Sequence, residues 1–261
     1  MSASSPSTSQ ANTRYDGLSF LFAKMEQEIE NMRQLAKPFL ERDSFETVIP
    51  DWKTQLTYFK NGNSDKPIRW NIAEVKPIQT IISKGQYEAR GRKGKDVFGC
   101  ISGSWDIQTP QAAGRGGAKK SFILHGLAST EITIWERLNG KPEPQKLMHW
   151  TVEVGDSAAP GCHFHTQIKC GMEDKPISVP RLPTLLMTPM DALEFLLSEL
   201  FQDAWGKHAA KENDYCKIWA SCQRPRLTKL LEWQLQQVKD AGGSPWTYLK
   251  RQKPTSSLFH P

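Results

Sequence analysis

The sequence predicts an α+β chain: an N-terminal amphipathic helix, an antiparallel β-meander sheet and a basic C-terminal helical layer. Three observations predict it. Apolar residues recur every three or four positions near both ends of the chain. Alternation of apolar and polar residues fills the middle, over 44–180. Short connections between successive strands favour antiparallel neighbours.

Residues 1–15 are rich in Ser, Thr and Pro and predict a disordered tail. Over 16–43 Asp16 is placed to cap a helix reaching about position 38. Leu18, Leu21, Met25, Ile29, Met32 and Ala36 form its apolar stripe, and Glu26, Glu28, Glu30 and Arg33 are assigned to its solvated side. In 44–180, Ile68, Trp70 and Ile72 alternate with polar neighbours, and 78–87 predicts a further strand. Val97, Gly99, Ile101, Gly103, Trp105 and Ile107 share one face of the next strand. The strand over 122–135 ends before Asn139-Gly140, a hairpin-turn pair.

Two segments around a turn-forming loop at 155–161 complete the meander. Met148, Trp150, Val152 and Val154 lie on one face, with His149, Thr151 and Glu153 on the other. Across the loop, Cys162, Phe164 and Ile168 oppose His163, His165 and Gln167. Matching apolar faces pairs Val154 with Cys162, Glu153 with His163 and Thr151 with His165; a two-residue shift keeps the same faces. The same rule sets Ile132 beside Val152 and Ile134 beside Trp150.

The C-terminal part, 181–261, is read as helices packed on the sheet. Thr188-Pro189-Met190-Asp191 opens the first, with a hydroxyl cap, a proline at the first helical position and an acid in the first turn. Leu193, Leu196, Leu197, Leu200, Phe201 and Ala204 carry it to about Trp205. A second helix over 212–222 buries Tyr215, Ile218, Trp219 and Cys222, and a third, over 226–241, stops at Gly242-Gly243.

Composition narrows the class. Hydrophobic residues make up 38% and charged ones 24%, an ordinary soluble globular balance. No apolar run approaches the roughly 20 residues of a membrane span, and the N-terminus has no secretory pattern. Five irregularly spaced cysteines do not form a disulfide framework, so a reducing cytoplasm is expected. The net charge of +6 is concentrated: positions 205–261 hold ten Lys or Arg against four Asp or Glu. That asymmetry predicts a nucleic acid or other polyanion as partner. Oligomeric state and cofactor are not assigned by any motif.

The histidine-bearing sheet face is the candidate catalytic surface: His163, His165, His149, Glu153 and Glu131. Histidine exchanges protons near neutral pH, and a facing carboxylate orients it, the combination required for acid–base hydrolysis of a phosphodiester. Two histidines at i and i+2 on a strand could also hold a divalent ion. Strand alternation separates Cys162 and Cys170 from the histidines, so no zinc site is assigned. Pro160-Gly161-Cys162-His163-Phe164-His165 resembles the His-x-His of cupins, but Lys169 and Cys170 stand where that family has its Glu, and the family is not adopted.

Phosphate contacts are expected from two places. Arg92 and Lys93, with Arg90, Lys95 and the basic loop 114–120, lie at one sheet edge. In the helix over 226–241, Leu227, Leu230, Leu231, Leu235 and Val238 gather on one side. Trp233 then points away among Arg226 and Lys229, placed to stack on a base. The sequence therefore predicts a cytoplasmic nucleic-acid-acting protein, with a phosphodiester hydrolase of nuclease type as the specific form. The alternative is a non-enzymatic binding or regulatory module that contacts a protein or nucleic acid through its basic C-terminal helices.

Overall fold

The computed structural model describes residues 19–62, 66–85, 87, 94–109, 120–138, 140, 142–154, 164–169, 182–183, 188–211 and 213–246. Among the described residues the architecture is α+β, an antiparallel sheet of eight strands with four α-helices. The strands are β1 (Ser19–Leu21), β2 (Ile68–Ile72), β3 (Ile78–Gln79), β4 (Val97–Gln108), β5 (Ser121–Glu136), β6 (Gln145–Val154), β7 (Phe164–Lys169) and β8 (Leu182–Pro183). The helices are α1 (Phe22–Ala36), α2 (Ile49–Asn61), α3 (Pro189–Ala209) and α4 (Asp214–Lys239).

Strand order runs β2-β4-β5-β6-β7-β8. β3 shares the outer edge of β4 with β2, and β1 pairs with the first residues of β5. The alternation expected in β4 is realised: Val97, Ile101, Trp105 and Ile107 are buried on the helix-covered face. Gly99 is there because α3 comes too close for a side chain. A Cβ at that position would lie 2.5 Å from Leu196. Trp52 of α2 stacks on Trp70 of β2 at 4.2 Å between ring centroids, and the Trp70 indole N–H donates to the Trp52 carbonyl at 2.7 Å. Burial of large rings together with a satisfied N–H makes this a rigid anchor between α2 and the sheet.

Several sequence expectations are corrected. The chain enters α1 through a strand, with Phe20 paired opposite Phe122, so the helix begins at Phe22 with no side-chain cap; Asp16 lies outside the described residues. The segment at 44–61, expected within the β region, forms a π-helical turn at Ser44–Val48 and then α2. Ile49, Trp52, Leu56 and Phe59 recur at helical spacing and are buried, and that period outranks β-propensity here. Among the described residues of 78–87 there are only the short β3 and isolated bridges at Thr80 and Tyr87.

Both hairpin registers are two residues away from the first pairing expected. Ile132 faces Trp150, and Ile134 faces Met148. Val154 faces Phe164, Glu153 faces His165, and Thr151 faces Gln167. A two-residue shift leaves every side chain on its face, so apolar matching cannot distinguish the two registers. Trp150 packs on the helix side, edge-on to Phe195 of α3 at 6.1 Å, but it is only half-buried, and Met148 is exposed.

α3 opens as expected, with Thr188 and Asp191 exchanging cap hydrogen bonds. It runs past Trp205 to Ala209 by kinking at Gln202, which adopts φ 36°. The kink lets Phe201 and Trp205 both reach Phe39, at 4.9 and 5.5 Å between ring centroids. The two helices expected over 212–222 and 226–241 are one, α4, with Pro225 inside it. Trp219 is buried in α4 as expected, whereas Tyr215 is exposed and Ile218 and Cys222 are half-buried.

Candidate functional site

The polar face of the sheet is built in rows by strand register. Cys100, Thr133 and His149 form one row across β4, β5 and β6. Ser102, Glu131, Thr151 and Gln167 form the next. Ser104, Ser129, Glu153 and His165 form the third. Successive rows are two residues apart on each strand, so their side chains project the same way. The structure therefore places Glu131, His149 and Glu153 on one face, with His165 at the register position opposite Glu153. Only the backbone of His165 is described, and His163 lies outside the described residues.

His149 and Glu131 are joined. The His149 Nε2 lies 3.2 Å from Glu131 Oε2, a diagonal contact between β6 and β5. His149 is 5% exposed, whereas the Glu131 side chain is 30% exposed, so the carboxylate is the part of the pair nearer solvent. Thr151, directly opposite Glu131 in register, is buried, and its hydroxyl has no hydrogen-bond partner among the described residues. The pair is a carboxylate-oriented imidazole, the unit that general-base chemistry needs. Burial pushes the Cys100 thiol up to about 12, against a hydrogen bond with Trp135 that lowers it. That thiol is therefore protonated at neutral pH and is no nucleophile. Among the described residues no group of three His, Cys, Asp or Glu is placed to hold a metal ion.

The expected nucleic-acid residues of α4 are arranged differently from the sequence reading. Arg226 does not face outward: it is buried, its Nη1 donating to Glu28 of α1 and its Nη2 to Asp191 of α3. Trp233 is half-buried and packs against the core. Leu230 is completely buried, while Leu231, Leu235 and Val238 are exposed. The physical cause is that α4 is one continuous helix. Its phase is set by Trp219 and Arg226 together, and two carboxylates hold Arg226 inward more firmly than exposed leucines could hold the opposite side. Arg92 and Lys93 lie outside the described residues.

Glu28 and Asp191 belong to this cluster and were missed by the sequence reading, which assigned Glu28 to the solvated side. A signal existed for Glu28. Met25, Glu28, Ile29 and Met32 occupy i, i+3, i+4 and i+7, so the carboxylate interrupts an apolar stripe that needs a buried partner. Burial raises the pKa of Glu28 above the ordinary carboxylate value, opposed by the nearby Arg226. The two carboxylates hold Arg226 fully protonated against its own burial. Asp191 also accepts from Gln223, and Glu194 accepts from Trp219 and Gln223. α1, α3 and α4 thus meet in a hydrogen-bonded polar junction.

No family model, curated protein or solved structure matches the chain. No described helix is long and apolar enough to cross a membrane.

Proposed function

We propose that this protein is a non-enzymatic binding or regulatory module whose α4 engages an acidic amphipathic helix of a protein partner. The observation that carries the reading is the outward turn of Leu231, Leu235 and Val238, which are 53%, 54% and 40% exposed. At about 100° per residue these three share one line along α4. Large aliphatic side chains in water favour any partner that covers them, by about 25 cal/mol per Å² of apolar surface buried. Lys217 and Arg224 continue the same line toward the N-terminal end, and Lys239 flanks it; all three are exposed. Apolar anchors at i, i+4 and i+7 with basic flanks match an acid-flanked helix in charge and spacing.

A site-directed test uses the full chain with a photo-reactive phenylalanine analogue at position 235 in native extract. The reading expects a discrete protein adduct whose cross-linked peptide, sequenced by mass spectrometry, carries an acid-flanked apolar stripe. That adduct is lost in Leu231→Asp. Absence of a discrete adduct, or one indifferent to Leu231→Asp, overturns the reading.

The hydrogen-bonded His149–Glu131 pair favours a second reading, a phosphodiester hydrolase acting on nucleic acid at the polar sheet face. In that reading His149 accepts a proton while Glu131 orients it, with Glu153, His163 and His165 completing the face. Its test is hydrolysis of single- and double-stranded DNA and RNA. His163→Ala or His165→Ala should abolish cleavage with the melting temperature nearly unchanged. Cleavage indifferent to both substitutions removes the reading.

A further inference from the structure

α3 covers only part of its side of the sheet. It lies over β4 and β5, where Ile101 and Ile132 are completely buried, but the same face continues onto β6 and β7. There Trp150 of β6 faces Ile168 of β7, and Met148 stands two residues from Trp150 on the same side. Phe195 of α3 packs edge-on to Trp150. Met148, Ile168 and Phe195 are exposed, and Trp150 is half-buried. Four large apolar side chains from three elements thus form one patch, two of them aromatic rings of the kind that anchor protein contacts.

The helix beside this patch is acidic. Glu199 follows Phe195 by one turn, and Asp203 lies beyond it across the kink at Gln202. Both are exposed, and neither has an ion pair or side-chain hydrogen bond among the described residues. Lys207, the next charge of α3, is two turns past Glu199. The stripe of α4 carries the opposite sign. Arg224 shares the line of Leu231 and Leu235, is exposed, and has no ion pair among the described residues. The exposed Glu232 stands to one side of that line and is balanced by Lys239, seven residues on along the same flank. Spacing agrees as well as sign. Arg224 is about 10 Å along the helix from Leu231, and Glu199 is about 6 Å along α3 from Phe195, with Asp203 further on. An α4 laid antiparallel on α3, Leu231 against Phe195, therefore brings Arg224 between the two acids.

We infer that the partner of the α4 stripe is a second copy of this chain, which receives Leu231 and Leu235 on its Phe195–Trp150–Ile168 patch and Arg224 on Glu199 and Asp203. The inference rests on the reading of α4 as a helix-docking surface and names what it docks on, since α3 is itself an acid-flanked apolar helix. Apolar side chains meet apolar side chains, and the uncompensated charges differ in sign, so two separate surfaces of one chain complement each other. α4 of one copy seats on α3 of another. A handful of side chains on each side makes a small contact, which belongs with weak, concentration-dependent associations.

Analytical ultracentrifugation of the purified full chain tests the inference. Average mass should rise with concentration up to about 0.1 mM, where a contact with a Kd of about 10 µM is well populated. Arg224→Glu in one variant, and Glu199→Lys with Asp203→Lys in another, should each weaken self-association about tenfold or more, because like charges then meet. Mixed together, the two variants should associate again, since each reversed group now meets its opposite. All three positions are exposed, so circular dichroism should be unchanged. A parent that stays monomeric, variants that associate as the parent does, or variants that fail to rejoin on mixing would overturn the inference. The photo-reactive analogue at position 235 separates this result from the wider reading. In the purified chain its adduct should join two copies and contain a peptide from 145–169 or 189–209. An adduct with a different protein in extract, and none in the purified chain, removes the second copy and keeps the helix-docking reading; no adduct in either removes both.

Discussion

α3 and α4 carry apolar stripes of similar prominence, yet only α3 buries its own. In α3, Leu193, Leu196, Leu197 and Leu200 are completely buried against the sheet and α1. In α4, Leu230 is buried while Leu231, Leu235 and Val238 remain in water, and the inward side carries Arg226. The difference lies in what each helix meets. α3 lies over a sheet face of Ile101, Ile132 and Gly99, which offers only apolar partners. α4 lies against α1 and the start of α3, where Glu28 and Asp191 await a cation. A helix does not simply bury its most apolar side; it buries the side whose partners are already inside.

The most severe way to break this comparison is to remove the cation. Arg226→Ala leaves Glu28 and Asp191 enclosed without their partner, and should cost about 3–5 kcal/mol in urea unfolding. Arg226→Met, which preserves the aliphatic volume, should lose a similar amount, because the carboxylates still lack a counter-charge. If Arg226→Ala behaves like an exposed substitution, within about 0.5 kcal/mol, the buried junction does not set the phase of α4.

A somewhat smaller loss tests the other helix. Leu196→Ala should cost about 2–5 kcal/mol, the range for emptying a filled core position. Gly99→Ala should cost about 1–3 kcal/mol by overpacking, since its new methyl would meet the Leu196 side chain. Combining the two should recover part of the loss, because the shortened residue 196 makes room for the added methyl. Strict additivity would show that α3 does not bear on the sheet at this point.

The contrast also marks how far the sequence could be read. The β4 alternation, the Thr188 cap and the apolar face of α3 follow from local period and cap chemistry, and all three appear in the structure. Register was legible only to within two residues, since both alternatives keep His149 and Glu131 on one face. The difference matters locally: in the observed register Glu131 faces Thr151 and reaches His149 diagonally. The α4 orientation was not legible from 226–241 alone. Arg226 is bound by residues 198 and 35 positions away, and no local pattern encodes a partner at that distance. Glu28 was the accessible clue, a charge inside an apolar stripe.

pH offers a milder perturbation of the same junction. Glu28 has its folded pKa raised above its ordinary value of 4.5 by burial, with Arg226 opposing. In the window from 4.5 up to that raised value, the native state retains a proton that the unfolded chain releases. Stability contributed by this group is therefore present at the acid end and falls as pH rises through the window. Glu28→Gln should remove this component, so the urea midpoint of the variant should decline less over that window than that of the parent. Parallel pH profiles for the two proteins would mean that Glu28 titrates alike in both states.

The smallest expected change in stability concerns the stripe that α4 leaves outside. Leu235 is 54% exposed, so Leu235→Asp removes little buried surface and should shift unfolding by no more than about 0.5 kcal/mol. A slight gain in solubility is expected, since a charge replaces an exposed aliphatic side chain. This near-silence distinguishes α4 from α3, where the equivalent Leu196→Asp would place a charge against Gly99 and unfold the chain. If Leu235→Asp instead destabilises by several kcal/mol, the leucine is covered in the folded protein and cannot receive a partner helix. Silence in unfolding combined with loss of the position-235 cross-link in Leu231→Asp would separate the two roles of α4: its inward side holds the three-helix junction, and its outward side is kept for contact with another protein.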